Sequence, residues 1–597
     1  MTAFRTLVDL MRGRAAEHGG ATAFTFLGDG DEESEHLTYG HLDARARLIA
    51  AALRDRGIRP GDRTLLLFPP GLDFIPAFFG CLYAGVVAVP AYPPQPAQLA
   101  RTLPRVLGII DDASVSIVLT TSNLAGGVAA LATHAPALGT MPVLATDTLS
   151  GTAPDDWRAP NIGDGLAFLQ YTSGSTSAPK GVMVSHANLL HNLAYASHAA
   201  ENDAATVSVS WLPVIHDMGL IEGVLGPIYN AYPAYLMAPA SFLHRPIRWL
   251  RAITRYRATT SGGPNFAYDL CVRRITDAQR ADLDLRTWRI AYNGAEPIRA
   301  DTLDAFHARF RDVGFSWRSF FPVYGLAEST LLVSTGGRTD EPVIREADAD
   351  ALARGQFRTT RIVDTPSRRL VSSGPVSFGT RVVIADPDTH ERCAEGRVGE
   401  VWISSPSVAR GYWRREDTTR ETFRAHLADG DGPFLRTGDL GVLADGELFV
   451  TGRLKDVLIV RGMKHYPQDL EHTAERQHAA IRAGCSAAFA LDAGDGESVA
   501  LAMEVDPRQL PDEPDELEAH LDDMIGRVRQ AIVEDHGILL SAVSVLSVGA
   551  MPKTSSGKLR RRACRAAFID GSLSELARWC GHPRRDEHAV RVAKTGT

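Results

Sequence analysis

The chain has 597 residues, with 63 basic against 71 acidic side chains and a net charge of −8, and is 45% hydrophobic and 22% charged. Such a length exceeds what one hydrophobic core usually supports, so two or more domains are expected. Charge is spread evenly apart from the short runs Arg560-Arg561-Arg562 and Arg584-Arg585, which argues against a nucleic-acid partner. Six scattered cysteines without a C-x-x-C pair argue against a disulfide framework or a zinc site. The N-terminus lacks a basic-then-apolar signal segment. The most apolar window, Phe74 to Tyr92, is broken by Pro76, Gly80, Gly85 and Pro90. No membrane span and a cytoplasmic location are expected.

Leu42 to Gly57 reads as an amphipathic helix closed by glycine, Thr64 to Phe68 as a buried strand, and Phe74 to Tyr83 as the next helix. Pro90–Pro104 and the Gly/Pro-rich 151–165 predict surface loops. Ser116–Thr120, Leu166–Tyr171, Ser208–Leu212, Trp288–Tyr292 and Arg381–Ile384 have strand character, with helical patterns such as His186–His198 and Ala300–Phe310 among them. That alternation predicts a layered α/β domain. Beyond about residue 400 come short strands with glycine turns, at Gly399–Ser404, Phe434–Thr437, Glu447–Thr451 and Val457–Val460. A smaller α+β region follows, with a helix near Pro467–Arg482, strands near Ala487–Leu491 and Val499–Val505, and an acidic helix through 513–535. The natural boundary is near residue 455. No internal repeat is present.

Lysine is rare, six among the 63 basic residues, and five of the six fall in three short stretches. Where lysine persists in an arginine-biased chain, either the position needs a compact ammonium on a flexible stem or the distribution is accidental. The first stretch follows the apolar strand Leu166–Tyr171 and reads Thr172, Ser173, Gly174, Ser175, Thr176, Ser177, Ala178, Pro179, Lys180, Gly181. Small hydroxylated residues and glycine let backbone N–H groups converge on an anion, and the lysine supplies a point charge for phosphate. The order fails the Walker pattern, because Gly181 follows the lysine where Ser or Thr is required. The other two stretches hold Lys455 with Lys464, and Lys553 with Lys558 on Pro552-Lys-Thr-Ser-Ser-Gly-Lys558.

Asn293-Gly294-Ala295-Glu296-Pro297 and Tyr324-Gly325-Leu326-Ala327-Glu328 each set a glycine, which permits close ligand approach, beside a carboxylate. Tyr324 can stack on a purine and Glu328 can hold Mg²⁺ on phosphates; taken singly, each stretch also fits a capped turn. Asp439, in Arg436-Thr-Gly-Asp-Leu440, can accept hydrogen bonds from ribose hydroxyls.

Together, and in this order, these stretches resemble the adenylate-forming superfamily of acyl-CoA synthetases, luciferases and peptide-synthetase adenylation domains, over roughly residues 20 to 570. Thr172–Gly181 matches its phosphate loop, Tyr324–Glu328 its adenine and magnesium motif, Arg436–Gly441 its ribose motif, Arg453 its hinge arginine and Lys558 its C-terminal catalytic lysine. A closer likeness is to fatty acyl-AMP ligases, carried by Trp211-Leu-Pro-Val-Ile-His-Asp-Met-Gly-Leu220, Ser261–Asp269 and His465–Glu471. About 45 residues separate Glu328 from Ser373-Gly374, about twice what CoA ligases typically need. The extra segment, near 338–370, resembles the insertion by which these ligases hinder the domain rotation needed for CoA thioesterification. Ser177, Glu222 and Lys464 depart from the family pattern, and Glu222 puts the shape of the acyl pocket in question.

The resemblance implies a large adenylate-forming domain over 1–452, a hinge at 453–456 pivoting on Lys455, a small mobile domain over 457–585 and a tail over 586–597. It implies ATP and Mg²⁺ as cofactors, a fatty acid as substrate, and a separate acyl carrier protein of a polyketide or peptide synthase as acceptor. Lys558 would bridge the attacking carboxylate and the α-phosphate, with Mg²⁺ on Glu328. Lys180 and the amides of Thr172 to Thr176 would hold the β- and γ-phosphates, Asp439 and Arg453 the ribose, and Tyr324, Gly325 and Gly294 to Glu296 the adenine. His216 would sit near the carboxylate, or else be a structural histidine bonded to a backbone carbonyl. Three alternatives stand beside this: an acyl-CoA ligase; an amino-acid or aryl-acid adenylating enzyme, with Asp217 receiving the α-amino group; and a scaffold that holds acyl-adenylate without turnover.

Overall fold

The computed structural model describes residues 4–94, 99–130, 141–152, 157–160, 163–172, 179–360, 366–493, 496–554 and 557–581. Ser173, Gly174, Ser175 and Thr176 of the phosphate-loop stretch and the tail 586–597 lie outside them.

Two largely parallel sheets dominate. The first has eight strands, in the order Leu332–Thr335, Phe320–Gly325, Ile290–Asn293, Thr260–Gly263, Ser208–Ser210, Ala234–Met237, Thr22–Leu27 and Glu33–Thr38, parallel except at its two edges. The second has six, in the order Val143–Ala145, Ile117–Thr120, Arg63–Leu67, Val87–Ala91, Leu166–Thr172 and Lys180–Ser185, the last antiparallel to its neighbour. Helices cover the sheets, and the main core runs from Leu7 and Phe78 to Phe168, Val224 and Ile403. Near-continuous apolar strands such as Thr64–Leu67 follow from burial on both faces. The layered α/β expectation therefore holds, and the sheets are of the kind whose ligands lie off the carboxyl ends of the strands.

A four-stranded antiparallel sheet, Arg381–Ala385, Gly399–Ser404, Leu435–Ala444 and Glu447–Arg453, completes the region before residue 453. Past it, Ile481–Ala493, Gly496–Val505, Leu540–Leu546 and Glu575–Cys580 form another four-stranded sheet. The helices Pro467–Glu475 and Pro514–His536 pack on it around Leu470, Leu501, Met524 and Val543.

Two local expectations change. Pro90–Pro104 is not a surface loop throughout: Val87–Ala91 is a strand and Leu99–Ala113 a helix with Pro104 inside it. Leu103, Val106, Ile109 and Ile110 bury a helical stripe against Leu65, Leu67 and Val118 while Pro104 stays on the exposed face, so packing outweighs the missing N–H. The helix from Pro467 stops at Glu475, because Ala480 and Ile481 turn into the small sheet, where Ile481 pairs with Val505. The described residues of the segment near 338–370 form paired strands and a short helix and pack on their neighbours. Ile344–Asp348 pairs antiparallel with Ser367–Val371, and the short helix Ala349–Ala353 follows the first strand. Ala347, Leu352, Phe357 and Leu370 bury against Leu440, Val442, Phe449 and Tyr466.

Candidate active site

The cleft between the two parallel sheets and the C-terminal sheet is lined by His216, Asp217, Glu296, Tyr324, Glu328 and Asp439 from one side and by Lys558 from the other. Each large-region residue follows or lies in a strand. His216 comes after Ser208–Ser210, Glu296 after Ile290–Asn293, and Tyr324 lies in Phe320–Gly325.

Asp439 and Arg453 are direct cross-strand partners. The Arg453 Nε donates to Asp439 Oδ1 (3.2 Å), and the Tyr324 hydroxyl donates to Oδ2 (2.8 Å). Burial, and then the Asp439 carboxylate, push the Tyr324 phenol well above its ordinary range. Asp439 is nonetheless buried while the Arg453 side chain is 65% exposed, so the carboxylate is held in place with the guanidinium extending into the cleft.

Glu328 sits on the short turn Ala327–Ser329 and accepts through Oε1 from the Tyr412 hydroxyl (2.8 Å). Lys180 lies with Nζ 5.1 Å from the centre of the same Tyr412 ring. Lys180 is the first residue of the strand Lys180–Ser185, paired with Thr172, so it leaves the loop stretch at a fixed strand position. Tyr412 thus connects a lysine and a carboxylate that the sequence sets far apart. Among the described residues no group of three or more His, Cys, Asp or Glu gathers for a metal. One carboxylate beside phosphate oxygens is enough for Mg²⁺, which keeps most of its waters, so Glu328 fits that ion and no all-protein cage is needed.

His216 Nδ1 meets Asp217 Oδ1 at 2.5 Å, a carboxylate partner and not the backbone carbonyl of the structural alternative. Burial works to raise the Asp217 carboxyl, but His216, Lys558 and the Met218 N–H hold it at about 2. Lys558 is pushed below the ordinary lysine value by burial, against the pull of Asp217; Arg453 lowers it further, while Glu296 and Asp439 raise it. Its loop is closed by the Lys558 N–H donating to Thr554 Oγ1 (3.0 Å) and the Thr554 N–H donating to the Lys558 carbonyl (2.7 Å). Glu296 accepts the Phe266 N–H (2.6 Å); burial raises its carboxyl while that amide, Arg299 and Lys558 lower it.

Packing constrains the two motif glycines. A Cβ on Gly294 would stand 2.5 Å from Val323 Cγ2, and one on Gly325 would stand 1.7 Å from the Leu331 carbonyl oxygen. Strand packing by itself demands glycine at both positions. Ala295 takes a left-handed φ of +67° beside them. Lys455 lies on the turn Leu454–Asp456 at the cleft edge.

Tyr412 and the arginines of the inserted strand were not among the expected site residues, and Asp217 was expected only in the amino-acid alternative. Arg368, on Ser367–Val371, pairs with Asp469 (3.2 Å), donates to the Thr451 carbonyl (3.2 Å) and stacks over Tyr466 at 4.7 Å. Its neighbour Arg369 pairs with Asp301 (3.1 Å) and Asp304 (2.6 Å) on the helix Ala300–Phe310. Arg299, beside that helix, reaches His472 (2.9 Å) and Glu475 (3.6 Å) on Pro467–Glu475. The inserted hairpin therefore bonds to both sides of the cleft.

Residues 11–413 match the family model described as AMP-binding enzyme, and 455–578 match that described as the AMP domain of Disco-interacting protein 2-like proteins. Over 96% of each chain, the sequence is 43% identical to the medium-chain-fatty-acid–[acyl-carrier-protein] ligase JamA of Moorena producens. It is 36% identical to the long-chain-fatty-acid–AMP ligase FadD32 of Mycolicibacterium smegmatis, over 94% of this chain and 93% of that one. The fold superposes on the L. pneumophila fatty acyl-adenylate ligase solved with acyl adenylate and pyrophosphate, with a TM-score of 0.74 and 39% identity, over 97% of this chain and 98% of that one. With the motifs in their expected order and their described side chains gathered in one cleft, the chain belongs to the AMP-binding enzymes, as a fatty acyl-AMP ligase of the adenylate-forming superfamily.

Proposed function

We propose that the enzyme joins a fatty acid carboxylate to the α-phosphorus of ATP, releases pyrophosphate, and passes the acyl group from the adenylate to the phosphopantetheine thiol of a separate carrier protein. The observation that carries this reading is Lys558 held in the same cleft as Asp217, Glu296 and Asp439. Two anions must meet in the adenylation step, and a positive charge placed where negative charge accumulates supplies much of the rate. Lys558 supplies it between the attacking carboxylate and the α-phosphate. Arg453 and Asp439 hold the ribose, and Tyr324 with Gly294, Ala295, Glu296 and Gly325 borders the adenine. Lys180 and the loop Thr172 to Thr176 take the β- and γ-phosphates, and Glu328 would hold Mg²⁺, whose charge offsets that of the triphosphate. His216, oriented by Asp217, faces the incoming carboxylate.

The occupation of Asp217 supports a fatty acid over an amino acid. An α-amino group would have to displace His216 or compete with Lys558 for that carboxylate. The hairpin Ile344–Val371 supports a carrier protein over CoA, because its arginines tie both sides of the cleft and oppose the rotation that CoA thioesterification needs. The names of JamA and FadD32 agree with a fatty acid, and that of JamA with a carrier protein. With a carrier protein of a polyketide or peptide synthase as acceptor, the reading includes a cytoplasmic location. Mass spectrometry of the products from a fatty-acid panel with ATP, offered CoA or a pantetheinylated carrier protein, tests the reading. Acyl-AMP and acyl-carrier are expected, and abundant acyl-CoA would overturn the choice of acceptor.

A further inference from the structure

Glu222 stands five residues beyond Asp217 on the same helical run, within the π-turn Ile221–Leu225. It lines the cleft together with Trp211, Met218, Tyr292 and Leu332. Two phenols feel its charge, Tyr232 and Tyr292. Its Oε2 lies 4.0 Å from the point where a Cβ on Gly226 would stand, and the Tyr232 hydroxyl lies 3.3 Å from that same point. The Tyr232 hydroxyl is buried without a hydrogen-bond partner. Among the described residues no cation or donor pairs with Glu222, and burial alone pushes its carboxyl up to about 7.

An unpaired carboxyl in an apolar lining is costly, and a plain alkyl chain passing it offers nothing in return. Asp217, which meets His216 and Lys558, marks the reacting end of the cleft. At about 1.5 Å of rise per helical residue, Glu222 lies roughly 7 Å further along. An acyl chain that follows this run from Asp217 meets Glu222 with its interior, several carbons from the carboxylate. Resting on the adenylation reading above, we propose that Glu222 is a specificity-determining residue that selects a fatty acid carrying a hydrogen-bond-donating substituent, a hydroxyl or an amino group, part-way along its chain. The substituent donates to the Glu222 carboxylate and replaces the water it loses on burial.

The test is a kcat/KM ranking by acyl-AMP formation, using the full chain and positional isomers of hydroxy and amino fatty acids beside the unsubstituted acid of each length. At least one isomer should exceed its unsubstituted counterpart by about tenfold or more, because a site built to pair a polar group discriminates against a chain that lacks one. Glu222→Leu should invert that ranking. Glu222→Gln separates the two sources: a hydroxyl preference survives it within a few-fold, whereas an ammonium preference collapses. A wild-type enzyme that favours the unsubstituted acid at every length, or a Glu222→Leu ranking identical to wild type, overturns the proposal. If the leucine variant does not fold, the wild-type ranking alone decides. Wild-type enzyme that adenylates none of the acids, substituted or not, instead overturns the adenylation reading, and this inference with it.

Discussion

Asp217 and Lys558 act on each other's charge across the cleft: the carboxylate raises the ammonium, and the ammonium helps hold the carboxylate at about 2. Lys558 works only while charged, and burial already sets it below an ordinary lysine. The alkaline limb of the adenylation pH profile should therefore fall below the usual lysine range. Asp217→Asn removes an anion that favours the charged form, so the limb should move to still lower pH. A pH–kcat/KM series on both proteins checks the direction. An unmoved limb would separate Lys558 from the titration.

Lys558→Ala should lower acyl-adenylate formation by roughly 10²–10³ while leaving the melting temperature near wild type. The side chain lies on a loop at the cleft, outside the small core of Leu470, Leu501 and Val543. Single-turnover adenylation beside thermal unfolding measures both quantities, and near-normal adenylation would remove Lys558 from the chemistry.

Glu328→Gln should raise the Mg²⁺ concentration needed for half-maximal adenylation. Tyr412→Phe should do so more weakly, since it removes one hydrogen bond to Oε1 and leaves the charge. Magnesium titrations at fixed ATP report the effect. Identical half-saturation in all three proteins would place the ion elsewhere.

At the hinge, Lys455→Pro should depress transfer to the carrier more than adenylation, because Lys455 lies on the exposed turn Leu454–Asp456 where a change in domain orientation would be absorbed. Separate assays of the two half-reactions distinguish this from a simple linker, which would lose both equally.

Arg368→Ala combined with Arg369→Ala cuts the inserted strand's bonds to Asp469, Asp301 and Asp304. The partly exposed pairs contribute little stability singly, so the fold should survive. Acyl-CoA should then appear above the wild-type background when CoA is supplied. No rise in acyl-CoA would mean that the hairpin limits rotation by its bulk and not through these bonds.

Much of the site was legible because its chemistry is local. Tyr324, Glu328, Asp439 and Lys558 each sit in a short stretch whose residue types imply a ligand, and each follows or lies in a strand or tight turn. Tyr412 and Arg368 were not legible, since their roles arise from partners distant in sequence and neither lies in a recognisable motif. Asp217 was weighed for an amino group; its pairing with the adjacent His216 is local, but the charge of Lys558 reaches it only when the two sides of the cleft meet. The fold was readable where apolar runs alternate with helical stripes. It was misread at Pro104, where a local breaker yields to a buried stripe, and at Ala480–Ile481, where the small sheet captures residues that continue a helical pattern.

Scarcity of lysine gives the depressed Lys558 ammonium a practical consequence. An amine whose proton leaves more easily is a better nucleophile near neutral pH, and only five other lysines compete with it in the whole chain. The abundant arginines on the surface do not react with activated esters. A mild acylating reagent should therefore mark the cleft in preference to the rest of the molecule, and ATP should shield it. The same scarcity makes the enzyme readable by peptide mapping, with each modified lysine assigned to one of four short stretches of chain.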